Sequence, residues 1–454
     1  MTTDRQRRAV RGAALAAALA VILSGCNWSM ARFGAAGTGY NPHDTGLDPD
    51  NVGGLVAELS GTVSGDTSKV PVVSGSTAFV TAAGSGLSAF DLTGAGCVGT
   101  PGVCQPIWTA AAGTAPGQAI VAGGTVFVGV GGALHAYDAA GVNGCAGTPK
   151  ICQPLWTAPG FGGPSVAADG RVYANNVHNY GSDTVAAFDQ AGVTGCAGVP
   201  KVCVPLWTYE VYDNYLYGLA PPVVAGGVLY VGTQNNDVLL NGGDFGTIQA
   251  FDATGTVNCS GTPTICTPRW SEYVGSVPRS PAVVDGVVYV ASYASGEDPV
   301  EGWQYHRSDV HGFDTATCWA NENCVPSWHV QIAEAQTLGR ISVANGLLYV
   351  AGPDGKTWTY ATDGGSPCAG AYPCEPLRRS TGTGISAVTD NLLYVGTRAF
   401  DVTGTTGCTG SPVQCAPQWT APGPTNGAAI PTNGKVLVWS SSGGTSTLTV
   451  YRPA

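Results

Sequence analysis

Residues 133–157 read ALHAYDAAGVNGCAGTPKICQPLWT. The stretch opens on a short apolar run ending in an aromatic-Asp step. It then passes two cysteines separated by six residues, Cys145 and Cys152, and restarts at Pro154-Leu155-Trp156-Thr157. The same order occurs from Ala89-Phe90-Asp91 through Cys97 and Cys104 to Pro106-Ile107-Trp108-Thr109. It recurs at Phe188-Asp189 to Trp207, Phe251-Asp252 to Trp270, Phe313-Asp314 to Trp328, and Phe400-Asp401 to Trp419. A degenerate seventh copy spans residues 360–377, where Ala361 stands for the Asp and Leu377 for the Trp.

Ahead of each copy lies a hairpin of β-branched and aromatic residues. Val283-Val284 and Val288-Tyr289 flank Asp285-Gly286, and Ser342-Val343 and Leu348-Tyr349 flank Asn345-Gly346. Both central residues of a type I′ turn need positive φ, which is why Asp-Gly and Asn-Gly mark hairpins. Similar turns centre on Gly75, Gly123-Gly124, Asp169-Gly170, Gly226-Gly227, Asp390-Asn391 and Asn433-Gly434, giving eight hairpins. Each leads to a third strand, and seven lead on to a fourth. Four-stranded units repeated every ~50 residues predict a β-propeller, because one such sheet cannot bury both faces alone and must stack against neighbours in a ring.

The expected fold is all-β: an eight-bladed propeller of four-stranded antiparallel blades. The unit at residues 428–451 has three strands, while residues 51–63 supply a fourth strand with no blade before it. Joining the two closes the ring and pairs both free sheet edges. Composition agrees. Gly and Pro number 67 and 30 of 454 residues, too many for a helical bundle, and only 11% of residues are charged against 44% hydrophobic, which excludes a solvated disordered chain. Formal net charge is −11, and the first 25 residues hold four Arg against one Asp, so the rest is more acidic still. No nucleic-acid partner is expected.

The N-terminus reads as an export signal. Basic residues 5–11 precede an apolar run at 13–23, too short to span a bilayer. Leu23-Ser24-Gly25-Cys26 resembles the lipobox of bacterial lipoproteins, which implies cleavage before Cys26 and a diacylglyceryl group on its sulfur. The expected organisation is a signal peptide at 1–25, a lipidated linker at 26–50 and the propeller at 51–454. The expected location is the outer face of a bacterial membrane.

Cysteine arithmetic points the same way. Fourteen of fifteen cysteines form close pairs: Cys97 with Cys104, Cys145 with Cys152, Cys196 with Cys203, Cys259 with Cys266, Cys318 with Cys324, Cys368 with Cys374, and Cys408 with Cys415. Cys26 is the odd one, and lipidation accounts for it. With neither CxxC nor accompanying His, local disulfides in an oxidising compartment are preferred over zinc, and no metal site is expected. These bridges are expected to be structural staples in loops at the rim of the ring.

The hairpin, the A-[FY]-D-x-x-[TG]-G step and the following Trp are similar to the repeats of pyrroloquinoline-quinone (PQQ)-like propellers. That family includes quinoprotein alcohol dehydrogenases and a lipoprotein scaffold of outer-membrane protein assembly. The resemblance covers residues 40–454 and implies that Trp108, Trp156, Trp207, Trp270, Trp328 and Trp419 dock between blades. The adjacent cysteines of the dehydrogenases are missing, and their calcium ligands and catalytic Asp do not map onto this chain. No catalytic residue is therefore assigned and no cofactor expected. PQQ with calcium belongs to the alternative reading, a quinone-dependent dehydrogenase. The repeated Asp residues read as turn caps, since a catalytic carboxylate is needed once or twice and not six times. His135 and His311 share a third-strand register and read as packing residues.

Function is expected where the repeat is broken. Connections between second and third strands, and between blades, share one face, and there blades three to five carry insertions at 175–183, 209–219, 234–245 and 293–309. They hold Tyr180, Tyr212, Asp213, Tyr215, Asp237, Trp303, Tyr305, His306 and Arg307, aromatic and polar groups suited to a protein or glycan surface. A protein- or ligand-binding scaffold at the cell envelope is the expected role.

Overall fold

The structure, a computed structural model, describes residues 27–454 except 67–68, 111–112, 114–115, 177–182, 212–217, 238–242, 276–279, 298–303, 321–323, 334–340, 353, 364–373, 383, 385 and 425. Eight sheets follow one another along the chain. Blade 2 shows the plan: Ile120–Ala122 innermost, then Thr125–Val130, Ala133–Asp138 and, outermost, Trp156–Pro159, each antiparallel to the last. The turns take the conformation their residues imply. Asp285 and Gly286 have φ of 49° and 77°, and Asn345 and Gly346 have 51° and 72°. Innermost strands touch from blade to blade around an axis.

The ring closes as the two incomplete units require. Ala428–Thr432, Lys435–Ser442 and Thr445–Pro453 form three strands, and Leu55–Ser64 adds the fourth, antiparallel from Leu55↔Pro453 to Ser64↔Thr445 with a bulge between Ala57 and Leu59. The first regular strand of the ring is thereby sealed by the last.

Six of the expected disulfides are formed: Cys97 to Cys104, Cys145 to Cys152, Cys196 to Cys203, Cys259 to Cys266, Cys318 to Cys324, and Cys408 to Cys415. Cys368, the expected partner of Cys374, lies outside the described residues. Disulfides at this density argue for an oxidising, extracytoplasmic compartment.

The expectation of staples confined to rim loops needs correcting for one sulfur of each bridge. Cys104, Cys152, Cys203, Cys266, Cys324 and Cys415 are all buried, none more than 4% exposed, and they pack into the hydrophobic core between blades. Their partners Cys97, Cys145, Cys196, Cys259 and Cys408 are only partly buried, whereas Cys318 is buried like Cys324. The physical reason is strand pairing. Cys104, Cys152, Cys203, Cys266 and Cys415 sit on short strands laid beside the preceding blade, and the side chain of each turns inward while its neighbour, such as Ile151 or Val202, turns out. Each of these five bridges therefore ties an exposed loop to the core.

Those five staple short hairpins that reach across to the preceding blade. Ile151 of blade 2 pairs in parallel with Thr109 of blade 1, Val202 with Thr157, Ile265 with Thr208, residues 414–415 with 379–380, and residues 102–104 with 59–61 of the closing strand. They act as inter-blade latches.

Each latch has a Gly and a Pro between its cysteines, and the Gly lies at φ near 90° (Gly99, Gly147, Gly198, Gly261, Gly410). The loop from Cys318 to Cys324 is one residue shorter and has neither, and its first half coils into the helix Thr315–Ala320. The outer strand of blade 4, Trp270–Gly275, consequently has no latch among the described residues.

Residues 26–50, expected as a linker, are from Asn27 onward part of the packed ring. Backbone carbonyls of Trp28, Ser29, Ala35, Ala36, Thr38 and Gly39 accept the N–H groups of Val73, Val121, Val224, Val283, Val343 and Val388, all on innermost strands. A segment of a dozen residues that reaches the innermost strands of six blades must lie across the axis. Trp28 is fully buried, and Arg32 donates to the carbonyls of Ser280, Pro281 and Ile341 at 2.9, 2.6 and 2.7 Å. The reason is the edge rule: innermost strands present unpaired backbone groups to the axis, and this segment pairs with six of the eight.

Candidate functional site

The repeat Trp residues stand at the junctions with the following blade. A Cβ on Gly141 of blade 2 would lie 2.2 Å from Trp108 Cδ1 of blade 1; Gly192 stands likewise to Trp156, and Gly255 to Trp207. Trp108 Nε1 donates to Ala139 O at 3.2 Å. Trp270 meets Phe313 of blade 5 at 5.7 Å between ring centroids, and Trp419 meets Tyr451 of blade 8 at 5.1 Å. Trp328 stands against Tyr289 of its own blade, as Trp156 does against Phe127, and packs on the core cluster that blades 5 and 6 share.

In blade 6 the alignment needs correcting. Arg378, not Leu377, pairs with Thr359 as Trp156 pairs with Ala136, so Arg378 occupies the Trp position. Its guanidinium donates to the Thr403 and Val402 carbonyls of blade 7, which explains how a cation replaces an indole at a blade junction.

The repeat Asp carboxylates are consumed by turns. Asp138 accepts from the N–H groups of Ala140, Val142 and Asn143, and Asp189 from those of Ala191, Val193 and Thr194. Burial pushes the Asp401 carboxyl up, but the N–H groups of Thr406 and Thr403 and the Thr403 hydroxyl outweigh it and hold the pKa at about 2. A carboxylate so engaged holds a loop and is not available as a base.

The face opposite the latches is uneven. In blades 4 and 5 the second and third strands, Val228–Asp237 with Gly243–Asp252 and Val287–Glu297 with Gln304–Asp314, run 10 and 11 residues, against 6 in blades 1 and 2. The excess carries two adjacent hairpins roughly 14–17 Å beyond the last regular rung. Asp237, Tyr305, His306 and Arg307 stand on these extensions. Tyr180, Tyr212, Asp213, Tyr215 and Trp303 lie outside the described residues, as does Cys26.

At the root of the blade 5 extension is a polar cluster that sequence reading missed. Buried Asp309 accepts Arg307 Nε at 2.9 Å on one oxygen and contacts His329 Nε2 at 3.0 Å on the other. His311, directly opposite His329 across the strand pair, stacks on it with centroids 4.8 Å apart and planes 30° apart. Both ring nitrogens of His311 are shut off from solvent and, among the described residues, make no hydrogen bond of good geometry, and burial, then His329, lowers its pKa to about 4 against a weak opposing contact with the Val274 backbone. The signal was present: aligning Trp328 with the other repeat Trp residues places His329 opposite His311, and Asp309 two residues before it on the same strand face.

Donor atoms of Asp309, His311 and His329 lie within 4.8 Å of one another, an N2O set that suits transition metals in kind. Lone pairs of imidazole lie in the ring plane, however, and these rings are stacked face to face while Arg307 and His329 already engage the carboxylate. The cluster is built as an ion pair backed by a neutral histidine.

On the latch face, a groove of ≈ 430 Å³ opens between blades 4 and 5, lined by Tyr230, Val283, Thr315 and Trp319 among others. It lies beside the helix Thr315–Ala320, where a latch would otherwise sit. No helix among the described residues is long and apolar enough to cross a membrane.

No protein-family model matches the chain, and no curated protein sequence matches it. Among solved structures it is similar to BamB from Moraxella catarrhalis, at 16% identity and a TM-score of 0.50, over 88% of this chain and 97% of that one. It is also similar to the computationally designed protein Ika8, at 12% identity and a TM-score of 0.41 over 75% and 93%. A third similar structure is Kluyveromyces lactis Hsv2, at 10% and 0.37 over 72% and 88%. At these identities the likeness to BamB is one of fold, a closed β-propeller, and it says nothing of substrate or partner.

Proposed function

We propose that the protein is a lipid-anchored scaffold of the bacterial cell envelope that binds another envelope protein through the face carrying the long hairpins of blades 4 and 5. The observation that supports this reading is the paired extension of those two blades. A ring built from near-equal repeats departs from them on one face, at two neighbouring blades, and there presents Arg307, nearly half exposed, braced by buried Asp309. An exposed arginine braced by a buried carboxylate is the kind of anchor around which protein interfaces concentrate their affinity. The repeat carboxylates are engaged in turns. No observation favours the quinone-dependent alternative.

The test is photo-crosslinking in the native envelope from a reactive residue placed at Arg307. One discrete protein adduct is expected, lost when the neighbouring blade 4 extension alone is shortened to the six-residue strands of blade 2, which leaves position 307 in place. Adducts to glycan alone would move the reading to a carbohydrate surface. An unchanged adduct in the shortened variant would overturn it. A bound chromophore, or calcium-dependent stabilisation in the presence of PQQ, would favour the dehydrogenase.

A further inference from the structure

Three observations meet on the latch face. The first is where the chain enters the ring. Asn27 Oδ1 accepts the N–H of Gly75 at 2.7 Å, in the turn joining the first two strands of blade 1. Leu92 N–H, at the start of the latch connection of blade 1, bonds Ser76 O in that same turn at 2.8 Å, so turn and latch share one end of the blade. Equivalent bonds, such as Ala139 to Gly124 and Ala253 to Gly227, repeat this around the ring. Cys26 precedes Asn27 directly, and one residue spans at most ~3.6 Å. Acyl chains on Cys26 would leave the protein beside blade 1, on the latch face, with almost no slack.

The second observation is apolar exposure. Val98, Val142 and Val193 are 76%, 66% and 73% exposed, Val199 is fully exposed, and Ile151 and Ile265 are 52% and 44% exposed. All six lie on the latch connections of blades 1 to 4. A single exposed Val is unremarkable on a soluble protein, but large apolar side chains repeated over four neighbouring, disulfide-braced loops form a surface. The third is charge. Residues 92–108, 139–156, 190–207 and 253–270 contain no Asp or Glu, and their charged residues are Lys150, Lys201 and Arg269, in a chain of net charge −11. The capping carboxylates Asp91, Asp138, Asp189 and Asp252 stand at the bases of these loops, bonded to loop N–H groups, while the apolar tips with their sparse cations match the boundary between acyl chains and anionic headgroups.

We propose that the latch arc of blades 1 to 4 is a lipid-docking surface on which the ring stands against the membrane. The long hairpins of blades 4 and 5 then point away from the bilayer, towards partners. The first support rests on the lipid-anchor reading; the other two do not.

The closed ring is built from residues 27–454, so the test uses the mature chain with Cys26→Ser, exported behind a cleavable signal. It is floated with vesicles of phosphatidylethanolamine and phosphatidylglycerol. Measurable partitioning is expected, falling at least tenfold in Val142→Asp/Val193→Asp/Val199→Asp; these side chains are exposed, and an unchanged thermal midpoint checks the fold. No vesicle affinity in the parent, or a triple variant within twofold of it, overturns the proposal. Mass spectrometry of the native protein separately tests the anchor: absence of a diacylglyceryl adduct on Cys26 would sink that reading while the vesicle result still decides the docking surface.

Discussion

Arg32→Met keeps most of the side-chain volume while removing the guanidinium that joins the axial segment to blades 5 and 6. Arg32 is 7% exposed and donates to three carbonyls at 2.6 to 2.9 Å. A hydrogen bond to a charged group contributes about 1.5–3 kcal/mol, and each buried carbonyl left without a donor costs about 1–3 kcal/mol. Water entering the vacated site and relief from desolvating the cation offset part of this, leaving a loss of about 4 kcal/mol. With an unfolding entropy near 2.1 cal/mol/K per residue, a ring of about 400 residues should lose about 5 °C in thermal midpoint. The assay is paired calorimetry and urea titration of parent, Arg32→Met and Arg32→Lys, the last able to satisfy one or two of the carbonyls and expected to fall between. If Arg32→Met lost less than about 1 kcal/mol, the axial segment would be decoration on a ring that holds without it, and the account of the innermost edges would fail.

Two further predictions concern the same framework. Asp44 is 2% exposed, and burial, opposed by the N–H groups of Gly434 and Gly46, raises its pKa to about 6. A folded-state pKa above the unfolded one means stability is full below about pH 4 and is lost as pH rises through 6, by about 3 kcal/mol in all. Asp44→Asn, which mimics the neutral form, should therefore stabilise the protein by about 2–3 kcal/mol at pH 7.5 and by little at pH 3.5; a difference in urea midpoint that ignores pH would refute this. Gly141→Ala should cost more than 2 kcal/mol, since its φ is 63° and the new Cβ would lie 2.2 Å from Trp108. Gly124→Ala, at φ 77° with nothing within 4 Å, should cost about 1 kcal/mol, and equal losses in urea titrations would mean that the Trp does not dock as described.

What the sequence disclosed and what it withheld divide along a physical line. Local signals were legible: Asp285-Gly286 and Asn345-Gly346 turn as type I′ chemistry demands, and Leu55–Ser64 completes the last blade because three strands were short of a fourth. Relations between distant segments were not. Nothing in the periodicity of residues 145–152 says that Ile151 pairs in parallel with Thr109, or that Cys152 is thereby buried, because a latch of two residues carries no register signal. Residues 27–50 show neither strand nor helix period, yet backbone carbonyls, which every residue carries, tie 28–39 into the ring. Leu377 matches the Trp position in apolar character alone, whereas the shared requirement is a side chain that fills the junction and donates to a carbonyl, which Arg378 meets. The face proposed for binding is marked by its insertions, but Asp309 and His329 emerge only once two strands are laid side by side.

The latches also impose a timetable on a chain that is made, and under the proposed export would emerge, from its N-terminus. Outer strands are completed by sulfur-braced residues belonging to the next blade, and the closing strand Leu55–Ser64 finds Thr445–Pro453 only when almost all of the polypeptide has emerged. Such sheets wait for their successors, and the earliest waits longest. A secretion arrest after blade 4 would leave a crescent with a bare strand at each horn, the condition in which extended chains recruit one another.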